Sequence, residues 1–220
     1  MKKRPPARTA GTGAAQGARA AGQVRIVGGR WRGTRLRVSP APGLRPTPDR
    51  VRETLFNWLQ PALSGARVLD LYAGSGALGL EAVSRGAAAA LLVERDPHAC
   101  EALDQAVARL SAADAVAVLR SDALAVLDAP VHGRFDIVFV DPPFQAGAWP
   151  AVLERLPAWL AQDAWLYLET PAGHAPALPP GWRLHREGAT RNTRYALYRR
   201  GSRRADTLAA SPEDGSTTTG

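Results

Sequence analysis

An apolar run at residues 135–144 ends in an aspartate, two prolines and an aromatic ring: Phe-Asp-Ile-Val-Phe-Val-Asp141-Pro142-Pro143-Phe144. Proline lacks a backbone N–H and fixes φ, so the doublet stops a strand and holds the chain in one extended shape. The Asp141 carboxylate, the Pro142 carbonyl and the Phe144 ring are then presented together at the strand's C-terminal edge. Two neighbouring acceptors can grip both N–H groups of an exocyclic amine while a ring stacks on the base that carries it. That chemistry suits methylation of a nucleobase amine. Asp-Pro-Pro can equally be a plain strand terminator, so the decision rests on the remainder of the chain.

Upstream, Arg67-Val-Leu-Asp70-Leu-Tyr-Ala73-Gly74-Ser75-Gly76-Ala-Leu-Gly79 reads as a short strand, a glycine turn and the start of a helix. Glycine lets backbone approach a ligand closely, and a helix N-terminus offers unpaired N–H donors. Gly74, Gly76 and Gly79 fit the spacing G-x-G-x-x-G. A second strand, Ala90–Glu94, ends in an acid about 20 residues after Gly74, where a ribose hydroxyl pair is bound in dinucleotide folds. A third, Ala115–Leu119, precedes Ser121-Asp122-Ala123, placed to reach an adenine amine. Asp70, Glu94, Asp122 and Asp141 thus put a carboxylate at four strand ends, the edge that lines the ligand crevice of an open parallel sheet. Any one of them can be a helix cap; four in register argue for a site.

A nicotinamide enzyme shares the first half of this pattern. It has no need of Asp-Pro-Pro-Phe, and it usually carries a second substrate domain for which about 80 residues after Asp141 leave little room. S-adenosylmethionine fits better, because acidic strand ends tolerate a cationic sulfonium. Ala73, Gly74, Ser75, Gly76, Asp70, Glu94, Asp122, Ala123 and Asp141 are therefore expected to form its pocket.

The elements that hold these residues read as one α/β domain with additions. Arginines 25, 30, 32, 35 and 37 interleave with Val24, Ile26, Trp31, Leu36 and Val38, and Gly28-Gly29 and Gly33 punctuate them. This is a β-hairpin with arginine on one side, suited to phosphate. A rigid loop, Pro40–Pro48, then leads to a helix running to about Leu59, with Thr47 or Asp49 as its cap. Arg25, Arg30, Arg32 and Arg35 of the hairpin, with Arg50 and Arg52 of the helix, are the expected nucleic-acid phosphate contacts. Beyond Asp141, Trp149–Ala161 reads as a helix and Ala164–Glu169 as a strand. Trp182–Glu187 and Arg194–Tyr198 read as a closing antiparallel pair. The expected segments are a basic tail at 1–23, the hairpin and helix at 24–60, the cofactor-binding catalytic domain at 61–200 and a polar tail at 201–220.

The net charge of +8 is unevenly spread. Residues 1–23 carry five basic residues and no acid, residues 24–60 eight arginines against two acids, and the remaining 160 residues sum to −3. A basic face built by the N-terminal segments points to a polyanionic partner. No stretch reaches the length and apolarity of a membrane span, and the basic N-terminus lacks the apolar core of a secretory signal. One cysteine, Cys100, excludes a disulfide framework and suits reducing cytosol. The four histidines show no ligand spacing, so no metal site is expected.

Together, Arg25-Ile-Val-Gly-Gly-Arg30-Trp-Arg-Gly, Leu44-Arg45-Pro46-Thr47-Pro-Asp-Arg50-Val-Arg52-Glu53-Thr-Leu-Phe56-Asn57-Trp58-Leu, Asp70 to Ala82 and Asp141 to Phe144 make the chain resemble the bacterial 16S (small-subunit) ribosomal RNA guanine-N2 methyltransferases. The likeness covers about residues 24–200. Asp141-Pro-Pro-Phe144 is shared with many amino-methyltransferases, whereas the Arg45 to Leu59 block is particular to this group. The resemblance implies a Rossmann-like class I sheet, mostly parallel with an antiparallel C-terminal strand pair, helices on both faces and the small N-terminal hairpin. It implies a monomeric cytoplasmic enzyme that methylates N2 of a guanine in 16S ribosomal RNA, free or within the small subunit. It also implies that the loop before the helix closes over the methionine end of the cofactor, where Arg45 meets the carboxylate and Thr47 stands beside it. Catalytic roles fall to Asp141, Pro142, Pro143 and Phe144. Two other readings stay open: a DNA or RNA adenine-N6 methyltransferase, and an RNA-binding protein without catalysis.

Overall fold

A computed structural model describes residues 22–38, 47–143 and 147–201. Arg45 and Phe144 lie outside the described residues, as do the segments 1–21 and 202–220. Seven strands form one sheet: β3 (Arg67–Asp70), β4 (Ala89–Glu94), β5 (Val116–Arg120), β6 (Phe135–Val140), β7 (Leu160–Pro171), β8 (Trp182–Ala189) and β9 (Thr193–Arg200). Their spatial order is β5-β4-β3-β6-β7-β9-β8. The first five run parallel, and β9 pairs antiparallel with both β7 and β8. The strand order reverses between β3 and β4 on one side and β6 on the other. A ligand crevice forms at such a switch point, outside the C-terminal strand ends.

Period-two alternation assigns each strand residue to a layer. Val68, Ala90, Leu92, Ile137, Phe139 and Tyr167 face one way, under α1 (Asp49–Leu63), α2 (Ala77–Ser84) and α3 (Pro97–Arg109). Leu69, Leu91, Val93, Val138, Val140, Leu166 and Leu168 face the other way, under α4 (Ala123–Leu127) and α5 (Trp149–Arg155). Trp159 sits in this second layer with no exposed surface, its indole N–H donating to the Leu127 carbonyl at 3.1 Å.

Two boundaries differ from expectation. The helix expected over 149–161 is α5 followed by a 3₁₀ turn, Leu156–Trp159, and β7 begins at once. Pro157 cannot donate into an α-helix and forces the change. Helix α1 passes Pro61 to end at Leu63, and its N-cap is Pro48, so neither Thr47 nor Asp49 caps it.

The hairpin, β1 (Gln23–Arg25) and β2 (Arg35–Arg37), is antiparallel and turns its arginines outward, as expected. It is no detached appendage: Val24, Ile26, Leu36 and Val38 belong to the core layer beneath α1. Its turn is clamped to the end of α2. The Arg30 amide donates to the Ser84 carbonyl at 2.8 Å and the Trp31 amide to Ser84 Oγ at 2.9 Å. Gly29, at φ +74°, approaches so closely that a Cβ would lie 1.9 Å from that carbonyl, so no side chain fits there.

Beneath this contact runs a buried ionic chain. Glu81 has no exposed side-chain surface; it meets Arg85 at 2.8 Å and Arg52 at 3.5 Å. Arg52 also bonds the Thr47 carbonyl, Asp49 and the Arg25 carbonyl. This corrects the expectation that Arg52 contacts RNA: its guanidinium is wholly buried and ties the hairpin, α1 and α2 together. Removing one partner of a buried pair strands a charge, at about 3–5 kcal/mol. Glu81→Ala should therefore lower unfolding stability by that amount in urea titrations, and a loss below about 1 kcal/mol would show the pair to be idle.

Candidate active site

Five adjacent strand ends carry acids along one edge. Asp70 ends β3 and Glu94 ends β4, while Asp122 follows β5, Asp141 follows β6 and Glu169 lies near the end of β7. After β3 the chain turns through Ala73, Gly74, Ser75 and Gly76 into α2. Ala73 is pinned by its amide to the Val93 carbonyl at 3.0 Å, and Gly74 by its amide to Glu94 Oε2 at 2.9 Å. The other Glu94 oxygen accepts the Arg95 and Asp96 amides, each at 2.8 Å. A carboxylate has about four lone-pair sites, so Glu94 is oriented by the loop and still has capacity for a hydroxyl pair. Ser75 is half-buried beside it.

Gly74 is the clearest cradle. Its φ is +52°, and a Cβ built there would meet nothing nearer than the Tyr72 carbonyl at 4.0 Å. The space above the turn is open, as a ligand needs, and the backbone there is one that L-residues avoid. The donor set thus fits a nucleoside cofactor: backbone at Gly74–Gly76, a carboxylate at Glu94 and a polar end at Asp122 and Ala123. Asp122 is exposed and caps α4, accepting the Leu124 amide at 2.9 Å. Half-buried Tyr72 lines the same edge; burial and Asp122 push its hydroxyl up to about 12, against Arg95.

Asp70 lies deeper. It accepts the Gly79 amide at 3.0 Å, and burial raises it from 3.8 to about 7, with Glu94 adding to the effect and backbone donors opposing it. A raised acid contributes stability that is complete below about pH 4 and is lost as pH rises through about 7. In thermal melts of cofactor-free protein, Asp70→Asn should gain on wild type between pH 5 and 8. A pH-independent difference would contradict this.

At the turn after β6, Pro142 is buried, Pro143 is exposed and Asp141 is partly exposed. Burial, then Glu169, then Asp70 raise the Asp141 carboxyl well above its ordinary range, while Thr47 opposes them. Thr47 is the expected cofactor-loop residue; its hydroxyl donates to Glu169 Oε1 at 2.6 Å and so sits at the catalytic edge. Tyr167 donates to the same oxygen at 2.7 Å. Glu169 and Tyr167 were not singled out from sequence. The one available sign was that Leu-Tyr-Leu-Glu169 repeats the pattern of an apolar strand ending in an acid.

The other expected RNA residues, Arg25, Arg30, Arg32, Arg35 and Arg50, are exposed. Arg25 pairs with Asp49 at 2.7 Å, and Arg30 lies over the Trp31 ring at 4.2 Å. Cys100 packs in the core, as read from its helix, and burial raises its thiol. Among the described residues, no group of His, Cys, Asp and Glu could hold a metal ion, and no helix is long and apolar enough to cross a membrane.

Comparison with known proteins agrees with this geometry. A family model described as "Conserved hypothetical protein 95" matches residues 24–199. The ribosomal RNA small subunit methyltransferase D of Escherichia coli is 48% identical over 182 residues, covering 81% of this chain and 91% of that protein. Its Haemophilus influenzae counterpart is 39% identical over 183 residues, covering 81% and 95%. The solved Escherichia coli protein yhhF, described as a candidate methyltransferase, has a TM-score of 0.73 at 47% identity, with coverage of 83% of this chain and 100% of that one. With identity sustained over four-fifths of the chain, this protein belongs to the ribosomal RNA small subunit methyltransferase D family of S-adenosylmethionine-dependent enzymes.

Proposed function

We propose that this enzyme methylates N2 of a guanine in 16S ribosomal RNA, acting as a cytoplasmic monomer on the free RNA or the assembling small subunit. The observation that carries the reading is the Asp141-Pro142-Pro143 turn beside the Gly74 cradle on one sheet edge. When bound, S-adenosylmethionine supplies an electrophilic methyl group on a cationic sulfonium. Glu94 would take its ribose, Asp122 and Ala123 its adenine, and Gly74–Gly76 the close approach. Asp70 would favour the positive charge, and Arg45 would take the carboxylate, as the family resemblance implies.

Guanine N2 is a poor nucleophile because its lone pair delocalises into the ring. Asp141 and the Pro142 carbonyl accept its two N–H bonds and turn the lone pair toward the crevice. Asp141 must be charged to accept, and a cation held nearby favours that state. Catalysis is then positioning and electrostatics with no covalent enzyme intermediate. The base must be unpaired or flipped to enter, with Phe144 on its face. Arg25, Arg30, Arg32, Arg35 and Arg50 hold the phosphates around it.

Incubation of the full chain with methyl-labelled cofactor and either under-methylated small-subunit RNA or duplex DNA tests this. Label in RNA guanine is expected. Label in adenine, of either nucleic acid, would overturn the reading in favour of an N6 enzyme.

A further inference from the structure

Glu169 is a buried carboxylate that the mechanism above leaves without a task. The pairing of Val140 with Leu168 puts Asp141 and Glu169 at the next position on neighbouring strands, on the layer shared by Phe139 and Tyr167. The Thr47 hydroxyl, 122 residues away in sequence, donates to Glu169 at 2.6 Å and stands close enough to Asp141 to favour its charged form. A hydroxyl carries one proton and two lone pairs. Set between two carboxylates, it can donate to one and accept only from the other's acid form. Two bare negative charges on adjoining strand ends are disfavoured, so without a bound cation the pair holds one proton in common. Two arrangements of that proton satisfy every group, and a concerted hop along the hydroxyl exchanges them.

We infer that Thr47 bridges Asp141 and Glu169 as a proton relay, which delivers to Glu169 the proton that guanine N2 loses on methylation. The inference rests on the function proposed above. An N–H bond of the methylated N2 breaks, and an O–H bond forms on Asp141. That proton then passes to Thr47 Oγ1 while Thr47's own proton passes to Glu169 Oε1. The relay needs Glu169 charged when guanine arrives: the cofactor's positive charge, when bound, would offset both carboxylates and release their common proton to solvent, so that Glu169 can accept. One proton then moves, no electron changes hands, and Asp141 regains its charge. Tyr167 is no sink: it donates to Glu169 at 2.7 Å, and burial with Glu169 and Asp141 drives its hydroxyl upward. The surrounding groups are accounted for. Asp70 of β3 disfavours charge on Asp141, Arg52 of α1 favours charge on Glu169, and Tyr195 of β9 acts on Tyr167. On the α5 side the Trp149 indole donates to the Glu169 carbonyl, and its ring lies against His174.

A relay and a mere anchor differ in pH behaviour. Without cofactor or RNA, the infrared band of carboxyl that stays protonated above the ordinary carboxylate range should shrink in Glu169→Gln, because Asp141 without Glu169 beside it ionises at lower pH. An unchanged band would overturn the shared proton, whatever the substrate proves to be. In single-turnover transfer with saturating cofactor and RNA, the acid limb should move to lower pH by about one unit or more in Glu169→Gln. It should move to higher pH in Thr47→Val and return to its wild-type position in Thr47→Ser. A uniform loss of rate with unmoved limbs would make Glu169 and Thr47 structural and overturn the relay. If wild-type protein methylates no ribosomal RNA, the proposed function fails while the band result stands on its own.

Discussion

Asp141→Ala should cut single-turnover methyl transfer by about a hundredfold to a thousandfold while leaving cofactor affinity almost intact. The factor is that of losing one well-placed polar contact to a reacting group, about 2.7–4 kcal/mol. Cofactor affinity should survive because the proposed ribose and adenine contacts, Glu94 and Asp122, stand at other strand ends. The substitution also removes a carboxylate that burial, Glu169 and Asp70 hold in an unfavourable setting, so the variant should fold at least as stably as wild type. Calorimetric titration with S-adenosylmethionine and a rapid-quench transfer assay separate the two effects. A near-normal transfer rate would reduce the turn to a strand terminator.

Gly74→Val should abolish cofactor binding in a protein that still folds. The new Cβ would meet no nearby protein atom, the nearest being the Tyr72 carbonyl at 4.0 Å. It would instead enter the space over the turn. The left-handed φ of +52° adds about 1–2 kcal/mol of strain for an L-residue, too little to unfold a domain with two core layers. Circular dichroism should thus be native while the heat of titration vanishes. Normal heat would move the cofactor elsewhere.

Features set by local physics were legible in the sequence. Apolar runs marked β3, β4 and β6, which are covered on both faces, and the half-covered β5 and the middle of β7 with them. The glycine spacing marked the turn before α2, and the proline doublet marked the end of β6. Features set by pairing between distant segments were not. Arg52 looks like a helix-surface cation in Asp-Arg-Val-Arg52-Glu, and only the approach of Glu81 from α2 makes it a buried tie. Thr47 reads as a cap because Thr-Pro-Asp precedes a helix, yet its hydroxyl is drawn off by Glu169. The hairpin's alternation announced outward arginines, while the core role of Ile26 and Leu36 depends on joining one cluster with Leu55, Phe56 and Leu59 of α1.

The most direct test is to map the methyl group. Purified enzyme and cofactor are incubated with small-subunit RNA from cells lacking this activity, and the digested RNA is read by mass spectrometry. The account predicts N2-methylguanosine at a single position, absent when Asp141→Ala replaces wild type. Methyl on adenine N6, or transfer that persists undiminished in Asp141→Ala, would contradict it.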